Sequence, residues 1–577
     1  MTTDPLTAVR SPREPLADPS DHVAEVQRPY PGITIAVEPL AWTVVMVIAA
    51  LFRLLDLGIR PLRPQESLPA RAALEFSTGA VSPDWLGDLT SGLAVLIFRV
   101  FGDSITTARL MPALLGVLAV ACLALYRPLL GRGAALIGAL LIAVSPVAVA
   151  GARSFGPEAA ALPLALLMPP LAWQALILRR HAAMPLLALV TGLGLGTGAL
   201  VPAMIVIVVL WMAVELGWLD GRAAPVARSQ PWTRPMILLS AASLLPGLLL
   251  ALTRYGAGFD RLTLSAVRAW DLPLPVVTPQ LPWHWVPAVL FAYEPLVAVL
   301  GIAGAVFVAR RWTAPAAIGG RLLLLWAGAG LAINLFWLRS DPAHLLITTI
   351  PLAMLAGIAT AAGSRYLVAG PTRQLAIILI PLIVAFGFAL AKLVAWGNFQ
   401  RIPGDEAVAV AVVVVGGIAA ATALVRWLRV SAAAALLLVA WLLGGMLTLH
   451  AAANVAFDDG SEFVYGRRAL PQVAAIDRRL DFVADPREVV AVERRLWPAL
   501  AWPLRDRAVN TFVEAPPSNP AVVPIPADAA LDPSPGQRIP IAEQWMPSEW
   551  DLMGILRWWV LRTPWGPVTT QQAEVVP

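Results

Sequence analysis

The segment Arg63-Pro64-Gln65-Glu66-Ser67 follows directly on the first long apolar run of the chain, Leu40–Gly58. A carboxylate such as Glu66, held at a membrane surface, can help deprotonate a hydroxyl, which is a weak nucleophile near neutral pH. Gln65 beside it adds an amide that can bind substrate. Three further polar groups stand at the ends of apolar runs: Arg153 with Glu158, Tyr293 with Glu294, and Arg339 with Asp341 and His344. A guanidinium suits phosphate through its fork of donors. Each group also has a plainer reading. Glu66 fits an ordinary loop acid, and Arg153 and Glu158 fit a pair bonded to each other or to headgroups. Tyr293-Glu294 fits an interfacial tyrosine beside a surface acid, and Arg339-Ser340-Asp341 fits a solvated turn. His344 has no second His or Cys at ligand spacing, so no metal ligand is assigned.

These residues need a scaffold, and the composition says which kind. The 577 residues are 58% hydrophobic and 14% charged, with mean hydropathy +0.73, which places the chain in a bilayer. About 13 stretches are long and apolar enough to count as spans. They include Leu40–Gly58, Ile105–Tyr126, Ala134–Ala150, Glu158–Leu178, Leu322–Leu338, Leu345–Ala362, Leu375–Ala395, Ala407–Trp427 and Ala432–His450. The expected fold is therefore an all-α polytopic membrane domain, residues 39–452, with an N-terminal disordered arm, 1–38, and a small α/β domain, 453–577.

The charges sort by loop. Arg127, Arg132, Arg179, Arg180, Arg222, Arg310, Arg311, Arg321, Arg365 and Arg426 fall in one set of alternate loops, which the positive-inside rule makes cytoplasmic. Glu66, Glu75, Asp84, Asp88, Glu158, Asp260, Asp271 and Asp341 fall in the other. The arm is thus expected in the cytoplasm of a cell with the chain in its inner or plasma membrane, and the C-terminal domain outside. The arm lacks the pattern of a removed signal peptide. The net charge of +5 follows these helix ends and forms no basic stripe with interleaved aromatics, so nucleic-acid binding is not expected. The single cysteine, Cys122, permits no intrachain disulfide. Spans almost free of charge, without an inverted repeat, argue against a transporter.

Two outer loops, 59–91 and 253–286, are long enough to be functional. In the first, the spacing predicts a helix over Leu68–Phe76 with Arg71 and Glu75 as an exposed pair. Leu89–Phe101 is amphipathic and too short to span, which suits the membrane interface. Trp283, Trp285, Trp326 and Trp337 read as interfacial anchors. In the last domain a helix is expected over Arg467–Asp481, strands over Glu488–Val492 and Val509–Val513, and an extended Pro-rich stretch over Pro516–Pro540. A final segment carrying Trp545, Trp550, Trp558 and Trp559 is expected to dock on the membrane.

Phe98-Arg99-Val100-Phe101-Gly102-Asp103-Ser104 and Thr107-Ala108-Arg109-Leu110-Met111-Pro112 resemble a signature of GT-C-type membrane glycosyltransferases, the dolichyl-phosphate-mannose protein mannosyltransferase-like group. Ser145-Pro146 followed by Arg153 and Glu158 resembles the same group. Tyr293-Glu294-Pro295, Trp497-Pro498 and Trp502-Pro503-Leu504-Arg505-Asp506 resemble its flippase activity-associated branch. The resemblance implies transfer of a sugar from a polyprenyl-phosphate carrier to an envelope acceptor (glycan, lipid or protein) at the outer face, among membrane lipids. It makes Glu66 the acid/base and Gln65, Arg153, Glu158, Glu294, Arg339, Asp341 and His344 substrate-binding. It assigns no certain cofactor and leaves a divalent cation open. The chain departs from the pattern where an Asp-Glu pair is expected and Gln65-Glu66 stands. It departs again at Thr197-Gly198-Ala199, where the group has Thr-Lys-Glu. These departures imply the alternative of a non-catalytic relative that binds lipid-linked sugars or assists their flipping.

Overall fold

A computed structural model describes residues 37–80, 88–178, 180, 182–217, 234–252, 283–314, 317–338, 341–368, 419, 432–457, 462–465, 467–483, 485, 488–513, 520–524, 539–545, 554–555, 558–559, 562 and 568–576. Two compact units are distinguished, Met1–Thr43 and Val44–Pro577. The first helix, α1 (Val37–Leu54), begins in the first unit and ends in the second, which holds all the other elements.

The helices follow the apolar runs. After α1 come α2 (Pro64–Ser77), α3 (Leu89–Phe101) and α4 (Ile105–Cys122). Then α5 (Arg132–Ala143) and α6 (Pro146–Ala152) form one path bent by 63°, broken where Ser145-Pro146 starts a new helix. Next are α7 (Glu158–Ala172), α8 (Ala183–Gly194), α9 (Leu200–Gly217) and α10 (Arg234–Leu252). A second bent path, with a 100° turn at Glu294-Pro295, joins α11 (Trp285–Tyr293) to α12 (Pro295–Ala309). The bundle continues with α13 (Ile318–Phe336), α14 (Leu346–Val368) and α15 (Ala432–Phe457). Among the described residues five helices are long and apolar enough to cross a bilayer, or seven if each bent pair is one span. The expected spans Leu375–Ala395 and Ala407–Trp427 lie outside the described residues, as does most of the second long loop.

Glycines bring these helices together, as expected where apolar attraction between helices is weak. A Cβ at Gly247 of α10 would stand 2.3 Å from the Leu193 nitrogen of α8, and one at Gly304 of α12 would stand 2.0 Å from the Leu355 oxygen of α14. On the arginine-rich side of the bundle, Arg321 of α13 forms a bidentate buried pair with Glu215 of α9, at 2.6 and 2.8 Å. The acid-bearing loops meet at the other end, where Arg60 donates to the carbonyls of Asn454 and Val455 at 2.8 and 2.9 Å. Trp285 and Trp326 are each only 1% exposed, so they are core residues and not the lipid-facing anchors their span-end positions suggested.

The C-terminal region carries a six-stranded mixed sheet in the order β1-β5-β6-β4-β2-β3. Its strands are β1 Arg467–Ala469, β2 Val490–Glu493, β3 Val509–Phe512, β4 Ala521–Pro524, β5 Ile539–Trp545 and β6 Val568–Val576. The expected helix over Arg467–Asp481 forms only as α16, Ala474–Val483; its first residues pair with β5 instead. Ile476 and Leu480 of α16 pack with Val490, Val492 and Ile541. Trp545 and Trp558 do not face the membrane. They join an aromatic cluster with Phe463 in which Tyr293 packs on Phe463 and Trp558, its ring centroid 4.8 Å from that of Trp558, and Trp545 packs on the far side of Phe463 and Trp558. Trp559 donates to the Ala292 carbonyl at 2.7 Å, and Trp550 lies outside the described residues.

Candidate functional site

The first outer loop forms a short helix at the expected place, and its first turn divides the Gln65-Glu66 pair. Gln65 is exposed, whereas Glu66 is 1% exposed. Glu66 Oε2 accepts from the Arg63 backbone N–H (2.8 Å), from Arg63 Nε (3.3 Å) and from an Arg109 terminal nitrogen (2.8 Å). Oε1 accepts from Arg109 Nε (3.3 Å) and from the Phe155 N–H (2.8 Å). Five donors fill the lone pairs of this carboxylate. Burial alone would raise its pKa, but the Arg109 and Arg63 guanidiniums outweigh burial and hold it down at about 2. In this arrangement Glu66 is ionised and offers no open lone pair to an acceptor hydroxyl.

The arginines are equally committed. Arg109 also donates to the carbonyls of Leu57, Arg60 and Pro61. Arg63 reaches the Ser154 hydroxyl. Arg153 donates to the carbonyls of Phe52, Leu55 and Asp56 at 3.1, 2.6 and 2.9 Å. It therefore caps the C-terminal end of α1, where helix carbonyls lack partners and the dipole favours a cation. Arg53 does the same for α5, donating to Ile142 and Ala143. These helix-end carbonyls lack intrahelical partners, and long cationic side chains supply the donors.

Glu158 occupies a different position. Its oxygens accept from the backbone N–H groups of Ala199 (2.6 Å) and Leu200 (3.2 Å), so the carboxylate caps the N-terminus of α9. His344 Nε2 lies 3.1 Å from Glu158 Oε1 and ties the turn before α14 to the same point. Gly198 makes room for the carboxylate: a Cβ there would fall 2.3 Å from Glu158 Cδ. The departure at Thr197-Gly198-Ala199 is thus matched by Glu158 filling the space. Replacing Gly198 by Ala is expected to displace Glu158 and cost about 1–2 kcal/mol of stability, the scale of a lost cap. Thermal unfolding in detergent checks this; adding Glu158→Gln to Gly198→Ala should cost little more, because both act on one cap.

Glu294 is buried at the bend between α11 and α12 and accepts from the Ser145 hydroxyl and from the Val147 N–H (3.3 Å), linking the two bent paths. Tyr293 accepts from the Val464 N–H at 3.1 Å, so Tyr293-Glu294 joins the bundle to the C-terminal domain. Asp341 accepts from the Ala343 N–H at 2.7 Å and starts the turn that carries His344. Arg339 lies outside the described residues.

The structure brings Gln65, Glu66 and Arg153 to the loop after α1, and Glu158 and His344 to a neighbouring junction; Glu294 lies at a third. The sequence reading passed over Arg63, Arg109 and Ser154 as site residues. Arg109 had one signal, a charge near the start of an otherwise apolar helix. Among the described residues no three His, Cys, Asp or Glu side chains come together as a cation site. Glu66 and Glu158 have given their oxygens to guanidinium and backbone donors, so this donor set does not fit a divalent cation.

Residues 90–246 match a family model described as dolichyl-phosphate-mannose-protein mannosyltransferase. Among solved structures, ArnT from Cupriavidus metallidurans bound to undecaprenyl phosphate aligns at 18% identity over 82% of this chain and 86% of its own, with TM-score 0.51. The apo state of the same protein aligns at 19% identity over 83% and 87%, with TM-score 0.49. The archaeal oligosaccharyltransferase AglB from Archaeoglobus fulgidus, in complex with an inhibitory peptide and a dolichol-phosphate, aligns at 14% identity over 82% and 64%, with TM-score 0.43. Comparison with curated proteins gives no significant match. The fold is that of the GT-C-type membrane glycosyltransferases, with a small sheet-bearing C-terminal region.

Proposed function

We propose that the protein transfers a sugar from a polyprenyl-phosphate carrier to a cell-envelope acceptor, at the end of the bundle where the acid-bearing loops meet. The observation that carries this reading is the charge around the first turn of α2. Arg60, Arg63, Arg109 and Arg153 gather there against the buried carboxylate of Glu66 and the exposed Asp56, which leaves the patch net positive. The N-terminus of α2 adds its positive dipole end beside exposed Gln65. Such a field favours a lipid phosphate and stabilises it further as a leaving group. The positive-inside rule puts this end outside the cytoplasm.

In the step proposed, the bond between the sugar C1 and the phosphate oxygen breaks and a bond from the acceptor oxygen to C1 forms. Glu66 fixes the two guanidiniums and the first turn of α2. Gln65 hydrogen-bonds the donor but cannot take a proton. The acceptor proton passes to the departing phosphate, whose second ionisation lies near pH 6 and makes it a competent base at neutral pH. The test is release of sugar from a panel of radiolabelled polyprenyl-phosphate sugars in proteoliposomes, with envelope lipid and glycan acceptors. Acceptor-dependent turnover supports the reading.

One observation favours a second reading. The exposed member of the pair at 65–66 is a neutral amide, and its neighbour's oxygens are all occupied. A GT-C-fold protein that binds lipid-linked sugars, or assists their flipping, needs no base. Saturable donor binding without turnover in the same panel selects it.

A further inference from the structure

The tail motif Trp497-Pro498 and Trp502–Asp506 has no part in the step just described, yet it is where the C-terminal domain grips α2. Arg71, one turn beyond Glu66 and Ser67, donates through Nε to Glu75 at 2.7 Å and through its terminal nitrogens to the carbonyls of Ala501, Leu504 and Arg507 at 3.5, 3.3 and 3.3 Å. Its guanidinium lies over the Trp497 ring, 4.7 Å from the centroid. The sequence spacing made Arg71–Glu75 an exposed helix pair; the structure instead half-buries it against the domain. The Trp502 backbone N–H donates to Ser67 Oγ at 2.7 Å, and the Trp502 ring centroid lies 5.9 Å from that of Phe98 of α3. Arg505 pairs with Asp103 at 2.7 Å. The first turn of α2 is thus held from two sides, by Arg109 on Glu66 and by Trp502 on the adjoining Ser67.

We propose that Arg71 is a positioning residue of the transfer site, through which the docked Trp497–Arg507 segment fixes the first turn of α2 and so the placement of Gln65 and Glu66. This rests on the sugar-transfer reading. Only a fork of donors with a flat face can serve three carbonyls, a carboxylate and an indole at once, so a lysine cannot replace it. The domain then acts on the placement of the reacting groups, where a small displacement lowers turnover steeply, while donor binding, set by the arginine cluster around Glu66, is retained.

The experiment uses the full chain in proteoliposomes with a polyprenyl-phosphate sugar. Arg71→Ala and Arg71→Lys are each expected to lower kcat ten-fold or more, with the donor KM within about two-fold of wild type. Hydrogen exchange at the amides of Pro64–Ser77 should accelerate in both. A short thiol cross-linker between Asp103→Cys and Arg505→Cys, in a Cys122→Ala background, should restore both exchange protection and turnover to Arg71→Ala. Unchanged kcat and exchange in Arg71→Ala overturn the proposal. So does a cross-linked protein that regains protection of α2 without turnover, since placement would then not be what was lost. A wild type that transfers no sugar from any donor sinks the transfer reading instead. The exchange arm still decides whether Arg71 holds α2.

Discussion

Glu66→Gln is expected to lower stability by roughly 3 kcal/mol and to abolish transfer. The size follows from two independent arguments. Removing one partner of a buried ion pair costs about 3–5 kcal/mol, because the other charges stay buried and uncompensated. A carboxyl held at about 2 in the fold, against a reference of 4.5, differs by about 2.5 pH units, or roughly 3 kcal/mol by linkage. The variant is sterically matched, so no cavity accounts for the loss. It places an amide NH2 among the donors of Arg63, Arg109 and Phe155, where only acceptors fit. The sign of the pH effect is fixed. Because the folded pKa is depressed, Glu66 stabilises fully above its unfolded value and loses that contribution as pH falls from about 4.5 towards about 2. Unfolding followed by tryptophan fluorescence in detergent, from neutral pH to pH 2, should show this acid limb in wild type and a flatter one in Glu66→Gln. Equal stability and equal acid limbs would remove Glu66 from its place as the clamp of the loop.

Gln65→Asp is expected to raise turnover by about 10- to 100-fold, approaching the scale of a positioned general base. Position 65 faces outward beside a net positive patch, so an aspartate there would be ionised with open lone pairs, unlike Glu66. It would take the acceptor proton that wild type leaves to the departing phosphate. Gln65→Ala should move the opposite way, by loss of the amide contact. Initial rates at saturating donor for the three proteins decide the matter. A Gln65→Asp variant slower than Gln65→Ala would mean that position 65 contacts the phosphate and tolerates no negative charge. Binding without turnover in all three would favour the lipid-linked-sugar carrier.

The order of helices was legible because each apolar run is long and the bilayer demands it. So was the short helix α3, found at Leu89–Phe101 where its amphipathic spacing put it. The breaks at Ser145 and Glu294 were not legible as bends. A Pro restricts the residue before it, but whether the path bends by 63° or 100° depends on what fills the gap, here a hydrogen bond between those two residues. The helix expected at Arg467 failed for a similar reason: Arg467-Arg468-Ala469 are good helix formers, but pairing with the strand edge of β5 overrode that local preference.

The sequence by itself determined that this chain is a polytopic membrane protein, which end of each helix carries its charges, and which short segments carry polar chemistry. Those properties are local, set by composition and period. What each charge does was decided by tertiary structure alone. Glu66 and Gln65 are neighbours in sequence, yet the 100° step of a helix sends one into a guanidinium clamp and leaves the other exposed. Arg153 and Glu158 lie five residues apart, yet one caps the end of α1 and the other the start of α9. A buried ionic group must find its partner in three dimensions, and apart from Arg63 beside Glu66 these partners lie 41 to 186 residues away along the chain.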